Sequence, residues 1–60
     1  MTTSVVNFIS YCHTQIWRHG FAKVYAVIKW VIANWRTVAS WIARGDSFYT
    51  IIVRIINIVF

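Results

Sequence analysis

The chain has no proline, two glycines, one cysteine and a single acidic side chain, Asp46, among its 60 residues. Each scarcity excludes something. Without proline, helix breaks fall to the glycines and to residues such as asparagine that tolerate left-handed backbone. A lone Cys12 rules out an internal disulfide and carries no sign of an oxidising compartment. One carboxylate excludes every mechanism built on a carboxylate pair. From Arg18 to Arg54 a charge recurs at intervals of no more than ten residues. No window therefore offers the roughly 18 uninterrupted apolar residues of a transmembrane helix. The opening "MTTSVVNFIS" lacks a basic n-region, a sustained hydrophobic core and a small-residue cleavage site. Secretion without a cleavable signal peptide, through a dedicated export transporter that recognises the mature chain, is the corresponding expectation.

What is present is apolar and cationic. Apolar residues make up 60% of the chain and aromatics 18%, against six cations (Arg18, Lys23, Lys29, Arg36, Arg44, Arg54) and a net charge of +5. A chain this short forms at most one domain, here residues 1–60, and buries a smaller fraction of its surface than a larger protein does. So much apolar surface with so much positive charge calls for an anionic partner, either nucleic acid or a lipid surface. Because a charge at the bilayer centre costs about 2.5 to 3.5 kcal/mol, an interfacial position suits these segments better than a spanning one.

Helical periodicity organises the whole chain into an all-α fold. Val5, Phe8, Ile9, Cys12 and Ile16 follow the i, i+3, i+4, i+7 rule behind a cap at Thr3 or Ser4. Gly20, after Arg18 and His19, stops that helix. A second stripe, Val24, Ile28, Val31, Trp35, Val38 and Ile42, keeps the same period to Arg44. One helix over 21–44 would be about 36 Å long with its apolar face poorly covered, so a break is expected at Asn34. The tripeptide Arg44, Gly45, Asp46 matches a cell-adhesion ligand, yet each residue has a local role at a helix junction: last turn, stop, and cap of the next helix, shared with Ser47. The run "FYTIIVRIINIVF" is rich in β-branched residues, but Ser47, Thr50, Arg54 and Asn57 fall on one narrow helical stripe. The expected helices are about 4–19, 21–33, 35–44 and 47–59.

Little chemistry beyond binding is available. Cys12 and His19 are seven apart and share a helix face, but Cys12 belongs to the apolar stripe, His13 and His19 are polar-face residues near a helix end, and structural zinc takes four ligands. No catalytic residue, metal or other cofactor is expected. Cations and aromatics interleave in "KWVIANWR", yet the cations spread over every segment instead of clustering on one recognition helix, so no specific nucleic acid is expected. Trp30 and Trp41 flank the main stripe beside its cationic side, and Trp17 borders the first stripe likewise, positions where an indole bridges water and hydrocarbon. Trp35 lies within the stripe as core.

The stretch "WVIANWRTVASWIARGDSFYTIIVRIINI" resembles the C-terminal half of leaderless bacteriocins of the aureocin and lacticin Q type. It shows in order a Trp (Trp30), an Ala-Asn pair (Ala33, Asn34), a second Trp (Trp41), a Gly (Gly45) and an Ile-rich amphipathic helix from Phe48. The first half matches more loosely, through "RHG" followed by "AKV". The resemblance implies a compact four-helix, saposin-like bundle, made without a leader, with its initiator methionine open to formylation. It further implies an antibacterial protein that kills related bacteria by membrane permeabilisation and pore formation. The membrane-binding set is then Arg18, Lys23, Lys29, Arg36, Arg44, Arg54, Trp17, Trp30 and Trp41, with helix breaks at Gly20, Asn34 and Gly45. The partner is the anionic phospholipid of the target membrane, with self-association there a further expectation. The alternative is a small membrane-associated toxin or holin-like protein acting from inside the cell, which an unbroken 21–44 helix would favour.

Overall fold

The computed structural model describes residues 1–60, and it is helical wherever the backbone is regular. Thr2 is the last extended residue before the first helix, α1 (Thr3–His13), and its Oγ1 accepts from the Val5 amide at 3.3 Å. The cap therefore falls just ahead of the expected Thr3 or Ser4. The single helix expected over 4–19 is also corrected: it is two segments, α1 and α2 (Ile16–His19), which meet at Thr14 and Gln15. Thr14 Oγ1 donates to the Tyr11 carbonyl at 2.6 Å, and the Thr14 and Gln15 amides bond carbonyls three residues back. A hydroxyl that competes for a carbonyl of the preceding turn bends a helix, and the tighter i to i−3 turn interrupts its α geometry.

Gly20 separates α2 from α3 (Phe21–Ala33) at φ 88° and ψ 151°. Only glycine enters that region without strain of about 1–3 kcal/mol, so the backbone alone fixes the residue, since no atom lies within 4 Å of where a Cβ would stand. Asn34 does divide the long stripe, into α3 and α4 (Trp35–Ala43), but at φ −127° rather than in the left-handed region. Its Nδ2 and its backbone amide both donate to the Trp30 carbonyl, at 3.0 and 2.9 Å. The side chain thus closes off α3 by taking a carbonyl the next helical turn would otherwise use.

At the following junction the Asp46 amide bonds the Trp41 carbonyl at 3.2 Å and the Gly45 amide bonds the Ile42 carbonyl at 3.0 Å, with Gly45 at φ 96°. These two bonds form a Schellman stop. Ser47 then caps α5 (Phe48–Val59), its Oγ accepting from the Thr50 amide at 3.1 Å. Asp46 takes no part in that cap, so the adhesion-like tripeptide is helix punctuation plus a carboxylate with another use.

Ten side chains are buried, none of them polar: Val5, Phe8 and Cys12 from α1, Val24, Val27 and Val31 from α3, Val38 from α4, and Ile51, Ile52 and Ile55 from α5. α2 contributes none, while α3 packs on each of the other four helices. Phe8 is the only large aromatic in this core, and its ring meets Phe48 edge-on at 5.4 Å, tying α1 to α5. The resulting body measures 27 × 19 × 18 Å.

A core of this size in a chain under 70–80 residues supplies no more than about 3–5 kcal/mol of net stability, and Phe8→Ala removes about the same amount. Phe8→Ala should lose cooperative thermal unfolding by circular dichroism. Ile55→Val, at about 1 kcal/mol, should keep the transition and lower its midpoint by roughly 4–8 °C.

Candidate membrane-binding surface

The six cations sort into two groups once the one acid is placed. Asp46 Oδ2 lies 2.8 Å from Arg44 Nη2 and 2.9 Å from Arg54 Nη1, so α4 and α5 are clamped by a shared carboxylate. Hydrogen bonds, first from Arg44 and then from Arg54, hold the Asp46 carboxyl below the usual carboxylate range. Arg18, Lys23, Lys29 and Arg36 have no acidic partner.

Each of those four lies over an aromatic ring. Arg18 is 5.1 Å from the Trp17 ring, Lys23 6.0 Å from Phe60, Lys29 5.8 Å from Tyr25, and Arg36 5.1 Å from Trp35. Arg54 makes the fifth such pair, 4.7 Å from Trp41. Five of the six cations thus lie against an aromatic ring, within the roughly 6 Å at which ring and charge attract. Two pairs come from neighbours in sequence and one from i, i+4 spacing on α3. Lys23 with Phe60 and Arg54 with Trp41 are made only by the fold.

The tryptophans divide as well. Trp17 is 79% exposed, the most exposed of the large hydrophobic side chains. Trp30 and Trp41 are half-buried and stacked on each other, with centroids 5.8 Å apart and planes 9° from parallel. Through Arg54 that stack joins Asp46 and Arg44, giving a continuous latch across α3, α4 and α5. The fold therefore presents Trp17 to solvent and packs Trp30 and Trp41 against each other. Trp35 is half-buried against the core, in its expected place.

Four exposed aromatics were not singled out by the sequence pattern: Phe21, Tyr25, Tyr49 and Phe60, at 69%, 56%, 53% and 68% exposure. Phe21 and Tyr25 stack at 6.1 Å on α3, outside the Val24 and Val31 stripe. Their i, i+4 spacing along the edge of that stripe is the signal that could have found them. Cys12 is fully buried, and burial pushes its thiol up to about 12. It is a packing residue, neutral and shielded, with no acid or metal-ligand cluster near it.

Because Asp46 has a lowered carboxyl value in the folded state, its contribution to stability is full above the unfolded carboxylate value of about 3.9 and is lost as pH falls through the folded value. Urea midpoints should be level from neutral pH to about 5 and fall below about 4. Asp46→Asn should remove most of that acid-side fall while lowering the midpoint at neutral pH. No protein-family model, curated protein or solved structure matches the chain.

Proposed function

We propose that the protein is a secreted antibacterial protein of the bacteriocin kind that adsorbs to the anionic membranes of target bacteria and permeabilises them. One observation carries this: all four cations left without an acid stand over aromatic rings, three of which, Trp17, Tyr25 and Phe60, are exposed. At a bilayer such a pair satisfies both phases at once, the ring at the boundary with hydrocarbon and the cation at phosphate. Taken with α1 and α2 as one bent arm, the five segments amount to four arms, the count of a saposin-like bundle.

Each cation near an anionic leaflet contributes about 1 kcal/mol. Four of them favour anionic over zwitterionic vesicles by about 4 kcal/mol, on the order of a thousandfold in binding. Adsorption alone breaches nothing. No helix is long and apolar enough to cross a membrane, and α3, with 13 residues, reaches about 20 Å against a hydrocarbon core of about 30 Å. Damage then comes from the bundle opening in the interface. Its buried Val and Ile side chains exchange one apolar environment for another, and the small core resists only weakly. Release of the latch frees Trp30 and Trp41 to join Trp17 at headgroup depth. The break at Asn34 removes the unbroken helix that would have favoured a holin-like spanning protein.

Dye should escape from phosphatidylglycerol vesicles and not from phosphatidylcholine vesicles. Escape should drop severalfold with Trp41→Ala, and also near 1 M salt, where the screening length is about 3 Å. Added from outside, the protein should kill sensitive Gram-positive cells; activity confined to expression within the cell would sink the proposal. Opening has its own readout in the separation of α1 from α5. Spin labels on exposed Val6 and Ile58 should move apart on anionic vesicles; an unchanged distance would mean that the bundle stays closed.

A further inference from the structure

Where α1 ends and α2 meets the first half of α3, the surface is indented by an open-sided groove of about 100 Å³ lined by His13, Ile16, Phe21, Val24, Tyr25 and Ile28. Phe21 and Tyr25, stacked on each other, are both more than half exposed, so two rings stand at this groove in contact with water. His13 is the only lining residue outside the hydrophobic set. A water held there would find few of the two to four polar partners it needs. The groove suits hydrocarbon better than water.

Its size narrows the occupant. It is smaller than the roughly 150 Å³ apolar cavity that admits benzene and well below the roughly 300–1,000 Å³ of a pocket for a drug-sized ligand. A sterol or fused ring system does not enter; a segment of one flexible chain does. Its surroundings narrow the occupant further. Of the four cations without an acidic partner, Arg18 belongs to α2 and Lys29 to α3, the helices that form the groove, while Lys23 lies over Phe60 on another side of α3. Neither helix carries an acid, and Lys29 Nζ lies 5.8 Å from the ring of Tyr25.

We infer that this groove is a docking site for one acyl chain of an anionic phospholipid, with the headgroup phosphate held at its rim by Lys29. The inference rests on the proposed action at membranes and assigns that action its point of first contact, on the α2 and α3 side and away from the latched Trp30 and Trp41. A second copy of the chain is the poorer occupant, because it would bring a net charge of +5 against this cationic corner. The phospholipid brings the opposite charge and an apolar chain together.

The test is a titration of the full chain with dihexanoylphosphatidylglycerol below its micelle concentration, followed by methyl NMR. Dihexanoylphosphatidylcholine and glycerol 3-phosphate serve as the parallel arms. Methyl signals of Ile16, Val24 and Ile28 should shift and saturate, with affinity for the anionic lipid about tenfold above the zwitterionic one and no methyl shift from the headgroup alone. Ile28→Trp, which fills the groove, should abolish saturation while leaving salt-dependent adsorption to phosphatidylglycerol vesicles in place. Lys29→Gln should weaken the anionic lipid about fivefold and leave the zwitterionic lipid unchanged. Unsaturable shifts scattered over the surface, equal affinity for both lipids, or shifts that grow with protein concentration alone would each overturn the assignment, the last giving the groove to a second copy. Dye release that persists without groove binding would remove the docking site only. Loss of all binding to anionic vesicles would remove the proposed function with it.

Discussion

The governing constraint is that a 60-residue chain, 60% apolar, buries only ten side chains fully. Short helices around a core of Val, Ile and one Phe leave no second layer in which to hide the remaining aromatics. They stand at the surface, and the cations lie over them. The pairing of charge with ring follows from the shortage of interior: a guanidinium or ammonium group covers part of an aromatic face that no side chain is left to cover, at about 0.5–1 kcal/mol for an exposed pair. The same shortage makes the folded state marginal, which is what the proposed exchange of core contacts for acyl chains requires.

Asp46 has a role out of proportion to its size. As the only acid, it has no substitute in holding Arg44 and Arg54, and through Arg54 it reaches the Trp41 and Trp30 stack. By consuming two cations at the α4 and α5 junction it also concentrates the uncompensated charge elsewhere, three of the four remaining cations falling on α2 and α3.

Much of the fold was legible because periodicity and capping are local. The stripes containing Val5, Phe8 and Cys12 and containing Val24, Val31 and Val38 are core, the breaks at Gly20, Asn34 and Gly45 are present, and the β-branched tail is helical as its polar stripe implied. The kink at Thr14 was missed because a threonine on an exposed helix face leaves periodicity intact; only its bond to the Tyr11 carbonyl gives it away. The stack of Trp30 on Trp41 was beyond reach for another reason. Both residues border an apolar stripe, and whether such residues face solvent or each other depends on how α3 folds back on α4 at Asn34. Pairs between neighbours, such as Trp17 with Arg18, can be read from sequence; Lys23 with Phe60 depends on the tail returning to α3.

The longest helix, α3, has 13 residues and reaches about 20 Å, short of the roughly 30 Å of hydrocarbon between two headgroup layers. On the proposed function, a copy that opens in the interface enlarges the outer monolayer and leaves the inner one as it was. Area mismatch then accumulates with every molecule that settles, and rupture becomes a property of surface coverage. A population would remain harmless at low density and turn lethal abruptly once the crowded layer can no longer stretch.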